Sequence, residues 1–341
     1  MTRPEPLLEV EDLEVRFPSG HRGETVKAVD GVTLSVAAGE TLGIIGESGS
    51  GKSTLGRAMA GFLRPTHGRV LQLGVDPSAL GRHDFAQHRR AFQIVFQDPN
   101  AALDPRMTIG QSVREPLDIA TNETRAQRDH RVLDLLDRVG LDAEFALRYP
   151  HELSGGQKQR ANIARAIALD PKLLVCDEVV AALDVSIQAD ILNLFVRLQD
   201  ELGLGYVFIS HDLGVIAHIA DRIAVMYLGK IVELGPADDI MRRPLHPYTK
   251  ALLSSEPVPL PKALRTENRI VLNGEIPSPI SPPSGCRFRT RCWLAADRCA
   301  EEQPAWEQYA PNHWNACHFT DSQSRGDASG PAQFAAILPE H

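Results

Sequence analysis

An α/β fold with a largely parallel central sheet is predicted by two features of the chain. Short apolar runs, Thr41 to Gly46, Lys172 to Glu178 and Tyr206 to Ser210, alternate with longer segments of helical period. A glycine-rich loop, Gly46 to Ser53, also stands between the first of these runs and a helix. Buried strands that read as continuous apolar runs belong to sheets covered on both faces.

The elements follow in order. Leu7 to Phe17 and Val26 to Val36 alternate with period two and read as strands. Gly39-Glu40 turns the chain into the strand Thr41 to Gly46, and a helix is predicted over Lys52 to Leu63. Gln111 to Leu141 is charged and helical in pattern, and further helices are predicted from about Ser154 to Leu169 and from about Val185 to Leu202. The composition then changes. Seven prolines fall between Glu256 and Ser284, at 257, 259, 261, 277, 279, 282 and 283, which reads as a linker or wrapped irregular segment. Thr320 to Gln333 is polar and glycine-containing, and residues 320–341 read as a disordered tail.

Composition narrows the function. The 341 residues carry a formal net charge of -8, a poor match to a broad nucleic-acid surface, though not to a pocket for one nucleotide. The N-terminus lacks the apolar core of a secretory signal, and no stretch has the apolar length of a membrane helix. The chain is therefore expected in the cytoplasm. Four of its five cysteines fall between Cys286 and Cys317, and in a reducing compartment such clustering points to metal or cluster ligands rather than disulfides.

The loop Gly46, Glu47, Ser48, Gly49, Ser50, Gly51, Lys52, Ser53 matches G-x-x-x-x-G-K-[ST] in full, with Thr54 next. Gly49 and Gly51 let the backbone curl so that N–H groups face phosphate oxygens, and the helix beginning near Lys52 turns its positive end to the same anion. Lys52 is expected on the β- and γ-phosphates and Ser53 on Mg²⁺. Downstream, Leu173 to Glu178 is an apolar strand ending in two acids, at the sheet edge where ligands bind. Asp177 is expected to hold Mg²⁺ and Glu178 to polarise the attacking water. Without the loop, that pair would read equally well as a helix cap and a solvated charge.

Leu153-Ser154-Gly155-Gly156-Gln157 opens a helix 101 positions after Ser53. Taken with the two motifs before it, this sequence resembles the ATP-binding cassette (ABC) ATPases. The resemblance implies a P-loop NTPase fold: a RecA-like core, an antiparallel β subdomain and a helical subdomain. It implies that Ser154, Gly155, Gly156 and Gln157 cap the γ-phosphate held by a second cassette. It places Gln97, in Val95 to Pro99, in the Q-loop that contacts Mg²⁺ and the membrane partner. It makes Asp184 part of the D-loop, His211 the switch histidine on the γ-phosphate, and Phe17 the ring stacked on adenine. On its own, Phe17 reads equally well as a core residue at a strand end. The chain departs from the family pattern at Val179, where a proline is usual, and at Ala181 or Ala182, where a serine is usual. Neither replaced group ligates phosphate or metal, so turnover is expected to persist.

The finer resemblance is to ATPase subunits of dipeptide/oligopeptide importers, and within them to the F-type subunit. It is carried by residues 95–117, 149–178, 182–194, 221–235 and 242–259, the last containing His246-Pro247-Tyr248. It implies ATP and Mg²⁺ as ligands and a second ABC ATPase subunit, a D-type homologue or a copy of this chain, as partner. It also implies two transmembrane permease subunits, an indirect link to an extracytoplasmic binding protein, no nucleic acid, and a peripheral place on the cytoplasmic face of the membrane. Nickel or glutathione import is the alternative within the family, and a nucleic-acid-associated ABC ATPase the alternative outside it. Cys286, Cys292, Cys299 and Cys317 lack a C-x-x-C pair, so a zinc ribbon is a weak reading. The resemblance implies a [4Fe–4S] cluster there, with Zn²⁺ or free thiols as alternatives and His313 and His318 near enough in sequence to substitute. The domains expected are an ATPase domain over 6–255, a cysteine-containing extension over 256–319 and the tail.

Overall fold

The computed structural model describes residues 6–19, 24–255 and 270–320. Prolines 257, 259 and 261 and the tail from residue 321 lie outside the described residues. The chain opens with β1 (Leu8–Pro18) and β2 (Thr25–Val36), then β3 (Thr41–Ile45), α1 (Lys52–Met59) and β4 (His67–Gln72). Next come α2 (Arg82–His88), β5 (Phe92–Val95), α3 (Pro99–Ala102), α4 (Ile109–Ala120), α5 (Arg125–Arg138) and α6 (Gly155–Ile167). There follow β6 (Leu173–Asp177), α7 (Val185–Leu202), β7 (Gly205–Ile209), α8 (Leu213–Ile219), β8 (Arg222–Tyr227) and β9 (Lys230–Pro236). The chain closes with α9 (Ala237–Arg242), α10 (Pro247–Ser255), α11 (Arg298–Glu301), β10 (Glu307–Ala310) and β11 (His313–Asn315).

Two sheets form. A three-stranded antiparallel sheet has the order β2-β1-β4. An eight-stranded sheet runs β10-β11-β9-β8-β3-β7-β6-β5, parallel from β8 to β5 and antiparallel beyond β8. Side chains alternate across the parallel strands as pleating requires. Cys176, Tyr206 and Phe208 join one buried cluster with the helices α4 to α8, while Val175, Val207 and Ile209 join a second with α1 and the small sheet. The large sheet is thus covered on both faces, which is why its strands read as unbroken apolar runs.

Three expectations change. The helix expected over Gln111–Leu141 is two helices, because Thr124 caps α5 in a capping box with Gln127 and Thr121 ends α4. The helix expected to Leu63 stops at Met59, and Gly61 follows with φ +76°. The ordered extension also reaches into the residues expected as tail. Its hairpin β10–β11 adds to the core sheet through Trp314 opposite Leu234 and Asn315 opposite Glu233. Thr320, where a disordered tail was expected to begin, is buried and accepts a hydrogen bond from Asn315 at 2.6 Å.

Candidate functional site

Strand register builds the site. In the parallel sheet Ile44 and Asp177 both lie opposite Ile209, and Val95 lies opposite Cys176. The residues that follow those strand ends, Gly46, Gln97, Glu178 and His211, therefore emerge together at one edge.

The glycine-rich loop is fixed by contacts that only glycine permits. A Cβ on Gly46 would lie 2.2 Å from the Met226 carbonyl oxygen, and one on Gly51 would lie 2.0 Å from that of Ala28. Gly51 is also left-handed, with φ +107°, and it begins α1 without any side-chain cap. The first-turn N–H groups of α1 are thereby left for a ligand. The Ser50 hydroxyl is buried in the loop with no hydrogen-bond partner, while a Cβ on Gly49 would meet only open space. An uncapped helix start and an orphaned hydroxyl in the loop fit a polyphosphate. The Lys52 ammonium donates to the carbonyls of Gly46 at 2.8 Å and Glu47 at 3.0 Å. Burial pushes its pKa down, opposed by Glu178, Asp177 and Glu47.

The carboxylates face the loop. The Ser53 hydroxyl donates to Asp177 at 2.9 Å. Burial raises the Asp177 pKa, against the Ser53 hydrogen bond and the nearby Arg57 cation. A hydroxyl and a desolvated carboxylate in contact suit a hard divalent cation, whose charge would restore the ionised form. Glu178 accepts from the Gln97 amide at 2.8 Å, and its other oxygen is 3.2 Å from His211 Nδ1. Its φ is +51°, and its N–H is tied to the Ile209 carbonyl at 2.9 Å. A non-glycine residue in this region stores about 1–3 kcal/mol of strain, of a kind found at functional sites. Val179 and Val180 pack the turn beyond it and are buried.

Ser154 to Gln157 make a different arrangement. Ser154 caps α6, and its N–H donates to the Gln157 side chain at 2.9 Å in a capping box. A Cβ on Gly156 would approach Ile187 to 2.7 Å, so glycine lets α7 pack closely here. The hydrogen bonds of Ser154 and Gln157 are local, with none to the Gly46–Ser53 loop of the same chain. Asp184 begins α7 without using its side chain as a cap. Phe17, near the end of β1, is 38 % exposed, so its ring is not core.

Gln97, Lys52, Ser53, Asp177, Glu178 and His211 are thus brought together in one chain, and the Ser154–Gln157 turn is not. Two contacts to the loop escape a sequence reading. Arg291 grips the Glu47 carboxylate with two hydrogen bonds, and the Tyr248 hydroxyl accepts from the Glu47 N–H at 2.8 Å. Arg291 lies 244 positions from Glu47 and Tyr248 lies 201, and local pattern cannot bridge such distances.

The ABC transporter family profile matches residues 29–181. The profile of the oligopeptide/dipeptide transporter C-terminal region matches residues 232–299. The putative oligopeptide transport ATP-binding protein YkfD of Bacillus subtilis is 50% identical over 315 residues, covering 92% of this chain and 95% of YkfD. The chain belongs to the ABC transporter family. A second relative, the oligopeptide transport ATP-binding protein OppF of Salmonella typhimurium, is 51% identical over 310 residues, covering 88% of the cassette chain and 92% of OppF. Among solved structures, a dimeric post-hydrolysis state of the ATP-binding cassette MJ0796 bound to ADP and Pi is 30% identical. It covers 67% of this chain and 98% of its own, with a TM-score of 0.61. The cassette is an ATPase by this kinship. No helix among its described residues is long and apolar enough to cross a membrane.

The cassette's four clustered cysteines line one small cavity of about 10 Å³, together with His246, Phe288 and His318. Burial pushes the Cys286 and Cys292 thiols up to about 11, and the Cys317 thiol is raised in the same way. Among the described residues, no three histidines, cysteines or acids are grouped as they would be around one metal ion. The expected ligand substitutes are used elsewhere: His313 hydrogen-bonds to Glu233 at 2.8 Å, and His318 to the Glu302 carbonyl at 3.0 Å. Cys176 is fully buried in β6 and acts as a small apolar residue.

Proposed function

We propose that this chain is the ATP-hydrolysing subunit of an importer of di- or oligopeptides, resembling the F-type subunit. The observation that supports it most is Glu178, placed between Gln97 and His211 and beside the Ser53–Asp177 pair, in a chain with two curated oligopeptide-transport relatives at about half identity.

In this reading Phe17 stacks on adenine. The loop from Gly46 to Thr54 and Lys52 hold the triphosphate, and Ser53, Asp177 and Gln97 hold Mg²⁺. The metal, when bound, supplies positive charge to the phosphate oxygens. Glu178 takes a proton from a water whose oxygen attacks the γ-phosphorus, and the bond to the β-phosphate oxygen breaks to release ADP. His211 and Lys52 stabilise charge on the transferring group. Ser154, Gly155, Gly156, Gln157 and Asp184 serve the site of a second cassette, so two cassettes close around two ATP molecules. Separate permease subunits carry the cargo, and this chain sits on the cytoplasmic face of their membrane. Nickel and glutathione remain the alternative cargoes. The test is uptake of a labelled tripeptide by cells lacking this chain, restored by the wild type but not by Lys52→Ala. Unchanged uptake in the deletion strain would overturn the reading.

We also propose that Cys286, Cys292, Cys299 and Cys317 hold a [4Fe–4S] cluster. The four side chains' shared lining of one small cavity supports it.

A further inference from the structure

We infer that Arg291, supplied by the C-terminal extension, is a positioning residue for the nucleotide site, and that it works by cancelling the charge of Glu47. The inference rests on the reading of Gly46–Ser53 as an ATP site.

Glu47 is an acid inside a loop built to bind an anion. Left alone, its carboxylate would repel the phosphates that the loop's N–H groups attract. Coulomb's law at an effective dielectric of about 20 gives two unit charges about 10 Å apart a repulsion equal to roughly a tenfold loss of affinity. Arg291 meets this carboxylate with a two-pronged grip, Nη1 to Oε2 at 2.7 Å and Nη2 to Oε1 at 3.1 Å. The pair is shielded, with side-chain exposures of 8% for Arg291 and 21% for Glu47. Planar bidentate pairing of this kind fixes geometry as well as charge.

The grip is held from behind. The segment from Cys286 to Arg291 is a tight turn, with the Arg289 N–H on the Cys286 carbonyl and the Arg291 N–H on that of Phe288. Phe288 packs edge-on against Tyr227 at 5.3 Å and lies 5.3 Å from Tyr248, and all three rings are buried. Tyr248 in turn accepts the Glu47 N–H. Glu47 is therefore held through its carboxylate by Arg291, through its N–H by Tyr248 and through its carbonyl by Lys52. Both contacts from outside the loop come from the C-terminal half of the chain, which ties the presence of the extension to the loop's readiness for phosphate.

The experiment is displacement of a fluorescent ATP analogue by ATP, ADP and AMP from the full-length chain, using the wild type, Arg291→Ala, Glu47→Gln and the double variant. Arg291→Ala should weaken ATP about tenfold and AMP least, since the effect scales with phosphate charge. Adding Glu47→Gln should return ATP affinity to within about twofold of Glu47→Gln alone. A double variant as weak as Arg291→Ala would overturn the inference, because the loss would then come from lost structure. Equal weakening of all three nucleotides, or none, would overturn it too. If Arg291→Ala does not fold, Arg291→Gln removes the charge and carries the same comparison. Failure of the wild type to bind ATP would instead sink the reading of the loop itself.

Discussion

Replacing Glu233 with leucine should loosen the extension from the cassette. Glu233 lies on β9 with no exposure, and its carboxylate accepts three hydrogen bonds. These come from the Leu245 N–H at 2.7 Å, the His246 N–H at 3.0 Å and His313 Nε2 at 2.8 Å. One side chain thus joins the core sheet to the turn before α10 and to β11. Leucine fills similar space but leaves three donors without an acceptor. At about 1–3 kcal/mol for each buried group left unsatisfied, and allowing for relaxation, the loss is roughly 3–6 kcal/mol. That is a large share of the ~5–15 kcal/mol that stabilises a typical domain.

The sequence offers a clean assay. All three tryptophans, Trp293, Trp306 and Trp314, lie in the extension, and Trp306 stacks on Trp314 at 6.4 Å. Tryptophan fluorescence therefore reports the extension, and far-ultraviolet circular dichroism reports mainly the cassette helices. In urea the two transitions should coincide for the wild type, because the hairpin is part of the sheet. For Glu233→Leu the fluorescence transition should move to lower urea, ahead of the dichroism. Unshifted fluorescence in the variant, or separate transitions in the wild type, would refute the idea that the extension is integral to the cassette.

Three further outcomes are expected. Gly51→Ala should abolish ATP binding measured by calorimetry, since its Cβ would strike the Ala28 carbonyl oxygen at 2.0 Å in a backbone with φ +107°. Burial pushes the His246 pKa down to about 4, against the pull of Glu233, so the unfolded chain takes up a proton that the folded chain refuses. Its contribution to stability is full above about pH 6.5 and is lost as pH falls towards 4, so the urea midpoint should drop across that window, and less steeply in His246→Asn. Anaerobically purified protein should absorb near 400 nm, and Cys299→Ser should remove that band; zinc in place of iron would leave the wild type colourless.

Much of the fold is legible in the sequence because the parallel strands are buried on both faces. Thr41–Ile45, Leu173–Asp177 and Gly205–Ile209 appear as apolar runs, and α7 falls where its period puts it. The residues of the loop and of the Asp177–Glu178 pair are equally legible, since tight backbone and strand ends impose local patterns. The break between α4 and α5 is hidden because a capping threonine looks like any polar residue of a charged helix. β4 carries only two apolar residues in its six and β5 is only four residues long, so neither shows a clear apolar run. The hairpin at the sheet edge, the Glu233 network and the Arg291 grip on Glu47 depend on pairings between residues far apart in the chain. Nothing local encodes such pairings.

The central claim is that Glu178, held by Gln97 and His211, activates the water that cleaves ATP. Phosphate release by purified wild type and Glu178→Gln, each paired with its partner cassette and measured at saturating ATP, tests it most directly. A positioned general base contributes about 10²- to 10⁴-fold, so Glu178→Gln should lose at least about 100-fold in turnover while still binding ATP. Hydrolysis by the variant within a few-fold of the wild type would contradict the account.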